Sequence, residues 1–268
     1  MRYIAVGQQA LRALMTEVCI TPKPGLVDRA NNGAHKDMNI FTFIDSATAL
    51  FPYFCDVAEY SQKYEGELED LLPELAPIGI KAEEAMFRAT GGVNTHKGAI
   101  FSLGILCAAA VSKKRPLSEA CALIAKSRTR GRTNDPVTTN GERIYTQYGI
   151  SGILGEAAAG FPNVFDVALP VLRKQVEAGS SLEEAGVAAL LHLIASVDDT
   201  NIIARRGIDG LRQIQKEVGD KISSFTNPNQ YIAYAEELDE RFIGQNISPG
   251  GCADLLAAGL FVLEGCFE

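Results

Sequence analysis

Apolar positions recur along this chain at the three-and-four spacing of amphipathic helices, almost from end to end. Ala5, Leu11, Leu14 and Val18 mark a first stripe, which stops near Thr21-Pro22. Further helical runs cover 40–60, 68–89, 99–111 and 117–126, then 164–178, 182–195, 202–218, 231–243 and 253–263. Strand chemistry is nearly absent, and Asn140-Gly141 sits in polar surroundings rather than between strand-like flanks. Helix-entry residues stand where runs begin: Ser118 with Glu119, Ser181 with Glu183 and Glu184, and Ser248-Pro249. No change of composition marks a linker. The pattern predicts an all-α fold, one multi-helix bundle domain over 1–268, with its site built from inter-helix loops and helix N-termini.

The polar interruptions carry the remaining information. The longest, 127–152, holds Arg128, Arg130 and Arg132, then Asn134-Asp135-Pro136 and Asn140-Gly141. So long a loop in a compact helical domain is functional or mobile: a lid over a nucleotide, or a solvated connector.

Composition narrows the partners. A formal charge of −8 and a pI near 5.1 argue against nucleic-acid or membrane-surface binding. An acidic protein that binds a polyphosphate must concentrate its cations locally or recruit a divalent ion. The six cysteines are scattered without C-x-x-C or zinc-type spacing, which predicts reduced thiols, mostly buried, in the cytoplasm. No leader-like apolar segment opens the chain, and no polar-free apolar run reaches membrane-spanning length. The Ala-rich apolar helices can support a homodimer.

Five segments are too polar or too glycine-rich for their helical surroundings. After Glu17, the stretch Pro22-Lys23-Pro24-Gly25-Leu26-Val27-Asp28 has two prolines that fix φ and remove N–H donors. It reads as a rigid turn holding Lys23 and Asp28, or as a helix stop with solvated charges. Two of the three histidines occur in one repeated phrase, Gly33-Ala34-His35-Lys36-Asp37 and Asn94-Thr95-His96-Lys97-Gly98. A cation beside free N–H groups at a helix N-terminus suits phosphate oxygens, and Gly91-Gly92 lets backbone approach them. The Walker A order is absent.

The fourth segment is Asp198-Asp199-Thr200-Asn201 with Arg205-Arg206, in which Asp198, Asn201 and Arg205 share a helical face. Adjacent carboxylates after an apolar run need a cation. Mg²⁺ bridging to substrate phosphate is one answer, and a salt bridge to Arg205 or Arg206 the other. The fifth, Ser248-Pro249-Gly250-Gly251-Cys252-Ala253-Asp254, opens a small-residue helix in which Asp254 is the odd charge. His192, among leucines, reads as a core histidine with a backbone partner.

Together these segments resemble the triphosphoribosyl-dephospho-coenzyme A synthase family. The resemblance runs through 22–28, Gly33 to Met38, Ser46-Ala47, Gly91 to Gly98, Gly152 to Pro162, Asp198 to Arg205 and Pro249 to Asp254. Leu154 departs from it, standing where an arginine is expected. The resemblance implies an all-α pentosyltransferase that joins ATP to 3′-dephospho-coenzyme A and releases adenine. The product is the prosthetic-group precursor for the acyl carrier subunit of citrate lyase or malonate decarboxylase. It further implies that Lys23, Asp28, Lys36, Asn94, Thr95, His96, Lys97, Arg205, Gly250 and Gly251 hold nucleotide phosphates, with Mg²⁺ on Asp198 and Asp199. Asp37 would serve as base or cation stabiliser, His35 as its partner or an adenine-side acid, and Glu156 as a further acidic candidate. The alternatives are a metal-dependent hydrolase of a nucleotide or ADP-ribose-like compound, and a helical scaffold that binds nucleotide without turnover.

Overall fold

A computed structural model describes residues 2–112, 115–130 and 140–265. Every regular element among them is helical: α1 (Arg2–Cys19), α2 (Ile40–Lys63), α3 (Leu71–Ala89), α4 (Lys97–Ser112), α5 (Leu117–Arg130), α6 (Asn140–Tyr148), α7 (Gly152–Ala158), α8 (Leu169–Glu177), α9 (Leu182–Ser196), α10 (Thr200–Ile222), α11 (Pro228–Gly244) and α12 (Gly250–Glu264). A 3₁₀ turn, Leu68–Asp70, leads into α3, and a π-helical turn, Asn163–Ala168, leads into α8.

Three helices form the interior. α4, α9 and α12 are apolar on nearly every side, and their residues from Ile100 to Val111, Ala185 to Ile194 and Leu255 to Val262 are almost all buried. A helix without a polar face must be enclosed. α12 packs against both α4 and α9, while α1, α2, α3 and α5 cover one flank and α8, α10 and α11 the other. Amphipathic helices such as α1 turn their apolar stripe inward through Val6, Ala10, Leu14 and Val18. By length and composition α2 could cross a membrane; here it packs against α1, α3 and α4.

Local chemistry sets several boundaries. Asn39 caps α2 with Thr42 reciprocating, Ser181 and Glu184 form the same box on α9, and Asn227 and Gln230 form it on α11. Ser118 lies inside α5, not at its cap, because that helix begins at Leu117.

The expected loop at 127–152 is largely helical where described. α5 continues to Arg130, and Asn140-Gly141 opens α6, whose Ile144 is buried. The side chains of Arg128 and Arg130, and all of Arg132, Asn134, Asp135 and Pro136, lie outside the described residues. His192 finds a side chain rather than a backbone partner, with Nε2 3.5 Å from the Tyr231 hydroxyl. Cys107, Cys121 and Cys252 are buried thiols, Cys55 is half-buried, and Cys19 is exposed.

Candidate active site

The segment between α1 and α2 is knotted against α11. Asp28 accepts from the Lys23 N–H at 3.0 Å and from the Ala30 and Asn31 N–H groups at 2.7 and 3.0 Å. Asp239 on α11 takes the Gly25 N–H and the Asn31 amide, both at 2.8 Å. So held, the turn drives the Lys23 side chain inward until it is 1% exposed, with Nζ bonded to Glu17 of α1. Burial pushes the Glu17 carboxyl up, and the Lys23 ammonium opposes that shift.

Three helix N-termini open beside this pair. α4 starts at Lys97, with the Asn94 side chain accepting the Lys97 N–H at 3.2 Å. α10 is capped by Asp199, whose Oδ1 takes the Asn201 and Ile202 N–H groups at 2.7 and 3.3 Å. Its Oδ2 reaches the Cys252 N–H of α12 at 2.9 Å, so one buried carboxylate closes two helix ends. The approach is close enough to demand glycine. A Cβ at residue 251 would lie 3.1 Å from Asp199, and one at residue 98 only 2.0 Å from Asp254 Oδ2. Asp254 therefore seats against the start of α4. Burial, with Glu17 and Asp199 nearby, raises its carboxyl far above the usual range, and the Ala99 N–H only partly offsets this.

These parts wall one cleft of about 1430 Å³. Lys97, Arg205 and Arg212 stand on its exposed side, and Glu17, Asp199 and Asp254 stand deeper. Lys97 pairs with Glu83 at 2.8 Å, and Arg205 donates to the Asn246 side chain at 3.1 Å. Backbone N–H groups at helix ends with mobile cations around them suit a polyphosphate. Glu156 lines the same cleft and accepts from the Asn163 N–H and amide at 2.7 and 2.9 Å. Burial raises its carboxyl, while the two Asn163 donors favour its charged form.

Of the residues expected from sequence, Lys23, His35, Asn94, Thr95, His96, Lys97, Glu156, Asp198, Asp199, Arg205, Gly250 and Gly251 all line this cleft, as does Leu154. The structure gives the other candidates, and three of these, different surroundings from those expected. Asp28 is spent on the turn's own N–H groups and is not a phosphate neighbour. Lys36 and Asp37 are exposed and are not among the residues that line the cleft; Asp37 is 3.9 Å from His35 Nδ1. His96 is not a cationic phosphate ligand, because burial and the Lys23 ammonium hold it neutral, its pKa pushed down to about 3. Asp198 is tied to Arg212 at 2.6 Å, and Asp199 caps α10 and takes the Cys252 N–H of α12. Among the described residues no group of three or more His, Cys, Asp or Glu side chains could hold a metal ion.

Glu17 and Asp254 are the residues that sequence reasoning undervalued. The available signal was a carboxylate on an otherwise buried face: Glu17 among Ala13, Leu14 and Val18, and Asp254 ahead of an apolar helix. His35 is partly buried, with Nε2 2.9 Å from the Ser248 hydroxyl. Desolvation first, then Arg205, lowers its pKa.

A helical bundle with cations and helix ends on one side of a cleft and protonatable carboxyls on the other belongs to the enzymes that handle nucleotide phosphates. Comparison makes the class specific. The profile of the ATP:dephospho-CoA triphosphoribosyl transferase family matches residues 4–266, and the chain belongs to that family. It is a triphosphoribosyl transferase enzyme. A probable 2-(5''-triphosphoribosyl)-3'-dephosphocoenzyme-A synthase of Vibrio cholerae is 41% identical, over 97% of this chain and 87% of its own length. The corresponding synthase of Pectobacterium atrosepticum is 40% identical over 94% and 86%. A probable synthase of Lactiplantibacillus plantarum is 40% identical over 96% and 95%. No solved structure matches the chain.

Proposed function

We propose that the cleft transfers the triphosphoribosyl group of ATP to the ribose 2′-hydroxyl of 3′-dephospho-coenzyme A and releases adenine. One observation supports this most directly: a single cavity combines an anion-binding side with carboxyls biased in different degrees toward the protonated state. A site that only bound phosphate would need the first feature alone. Breaking the bond between ribose and adenine also calls for an acid and a base.

In this reading the acceptor oxygen bonds to C1′ of ATP's ribose while the bond from C1′ to adenine breaks. Glu156, kept competent as a carboxylate by Asn163, takes the hydroxyl proton. Asp254, whose carboxyl burial raises far above the usual range, gives a proton to the departing adenine. Proton exchange with solvent restores both groups, and the triphosphate is never cut. Carboxylates nearby also stabilise the positive charge that develops on the sugar. At the exposed side of the cleft Lys97 and Arg205 hold the triphosphate, whose Mg²⁺ arrives with ATP as part of the substrate. We place the reaction in the cytoplasm, where ATP is abundant and the free thiols stay reduced.

The test is chromatographic. Purified protein is incubated with ATP, Mg²⁺ and 3′-dephospho-coenzyme A, omitting each in turn. Adenine should appear only with the acceptor present, together with a coenzyme product heavier by a triphosphoribosyl group. Adenine without acceptor would make the protein a nucleosidase, and ADP or phosphate would make it a phosphohydrolase; either overturns the proposal.

A further inference from the structure

His96 is walled into the bundle yet contributes to the cleft surface, and its ring is only half used. Nδ1 lies 2.7 Å from the Ser46 hydroxyl, and Thr95 Oγ1 donates to that same hydroxyl at 2.7 Å. With Thr95 supplying Ser46 with a proton, the Ser46 hydrogen goes to Nδ1, and the imidazole keeps its own proton on Nε2. The Phe43 ring meets the imidazole edge-on, with centroids 5.0 Å apart, and steadies its plane. Nε2 itself has no hydrogen-bond partner among the described residues. Leaving such an N–H buried and unpaired costs about 1–3 kcal/mol, which a ligand atom would recover.

We propose that His96 presents a neutral Nε2–H donor to an oxygen of the nucleotide's sugar. This rests on the nucleotide-transfer reading and deepens it by fixing which part of the nucleotide lies deepest. The polarity of the cleft selects the sugar over phosphate. Lys97, Arg205 and Arg212 stand on the exposed side, whereas the inner wall carries Asp254 and the Lys23–Glu17 pair, and offers a phosphate no unpaired cation. An uncharged hydroxyl or ring oxygen needs none and meets a neutral donor there. Thr95 and Ser46 are positioning residues, acting through the imidazole.

Three histidines in the chain make ¹⁵N spectroscopy of the imidazoles tractable, with His35→Gln and His192→Gln assigning the signals. The expected result is a His96 ring protonated at Nε2 and bare at Nδ1 across the neutral pH range. Its Nε2 signal should move with ATP and with adenosine, but not with inorganic tripolyphosphate. His96→Ala should raise KM for ATP roughly tenfold, the worth of one hydrogen bond, and His96→Gln, which restores an N–H near the Nε2 position, should recover most of it. Ser46→Ala should shift the tautomer balance and weaken the nucleotide-induced change. A proton on Nδ1, or a response to tripolyphosphate equal to that with ATP, would overturn the assignment. If ATP moves the His35 signal and leaves His96 silent, this inference fails and the transfer reading stands. If ATP moves no signal while adenine is still released with the acceptor, only this inference fails; if no adenine is released either, both fail.

Discussion

Residues 33–37 and 94–98 each place a histidine before a lysine among small polar residues, and the fold puts them to different uses. In the second phrase the chain enters α4. The turn buries His96 and delivers Lys97 to the cleft at the first turn of the helix. The first phrase lies in the loop between α1 and α2. There only His35 faces the cleft, and Lys36 and Asp37 point their charge into solvent. The surroundings decide the placement of the same dipeptide: at the start of a helix both residues border the cleft, and in an open loop only the histidine does.

That contrast can be broken or sharpened by substitution. The largest effect is expected at Asp254, which abuts the α4 terminus that the second phrase opens. Asp254→Asn should lower kcat at least about a hundredfold, as loss of a positioned acid does. It should not lower the melting temperature. The folded carboxyl is raised, so the stability it contributes is complete below the ordinary carboxylate range and is lost as pH rises through the folded value. The amide has no such loss, so the variant should melt higher than the parent toward alkaline pH. Calorimetry across pH, run beside the adenine assay, checks both halves.

Next comes the buried pair beneath the first phrase. Lys23→Met leaves Glu17 buried and uncompensated, and should cost about 3–5 kcal/mol in denaturant unfolding. A cost near zero would mean that Glu17 takes up a proton without strain. Smaller still is the direct comparison of the phrases: Lys97→Ala should raise KM for ATP about tenfold, the worth of one charged hydrogen bond. Lys36→Ala, in the exposed copy, should stay within about twofold. Equal losses would put both phrases on the nucleotide. The smallest effect belongs to Asp37→Asn, which should change kcat by less than about twofold, since its carboxylate is solvent-exposed and away from the cleft.

The helical architecture was readable from periodicity because α1, α9, α11 and α12 carry long apolar stripes or runs, and α9 and α11 begin at capping boxes. α6 and α7 were not. α6 is short and mostly polar, and Asn140-Gly141, a turn signal in isolation, became its first turn once Ile144 found a core to enter. α7 is seven residues of mostly small side chains, too short for a period to emerge. In the site, the glycine-rich segments pointed to the cleft because close approach leaves a compositional trace, as Gly98 and Gly251 show. Partnership left none. Nothing near Asp28 says that it will bind its own turn, and nothing near Asp198 says that Arg212 will claim it. Glu17 and Asp254 gain their meaning from each other, across nearly the whole length of the chain.

That separation has a consequence for how the enzyme is made. α1 and α12 lie side by side, joined where Arg12 meets Glu264 at 2.8 Å, and each supplies one of the two innermost acids. In synthesis Glu17 precedes Lys97 and Arg205, and Asp254 follows them. A chain that stops short of α12 lacks one of the three interior helices together with that acid, so the core and the inner wall of the cleft are completed together.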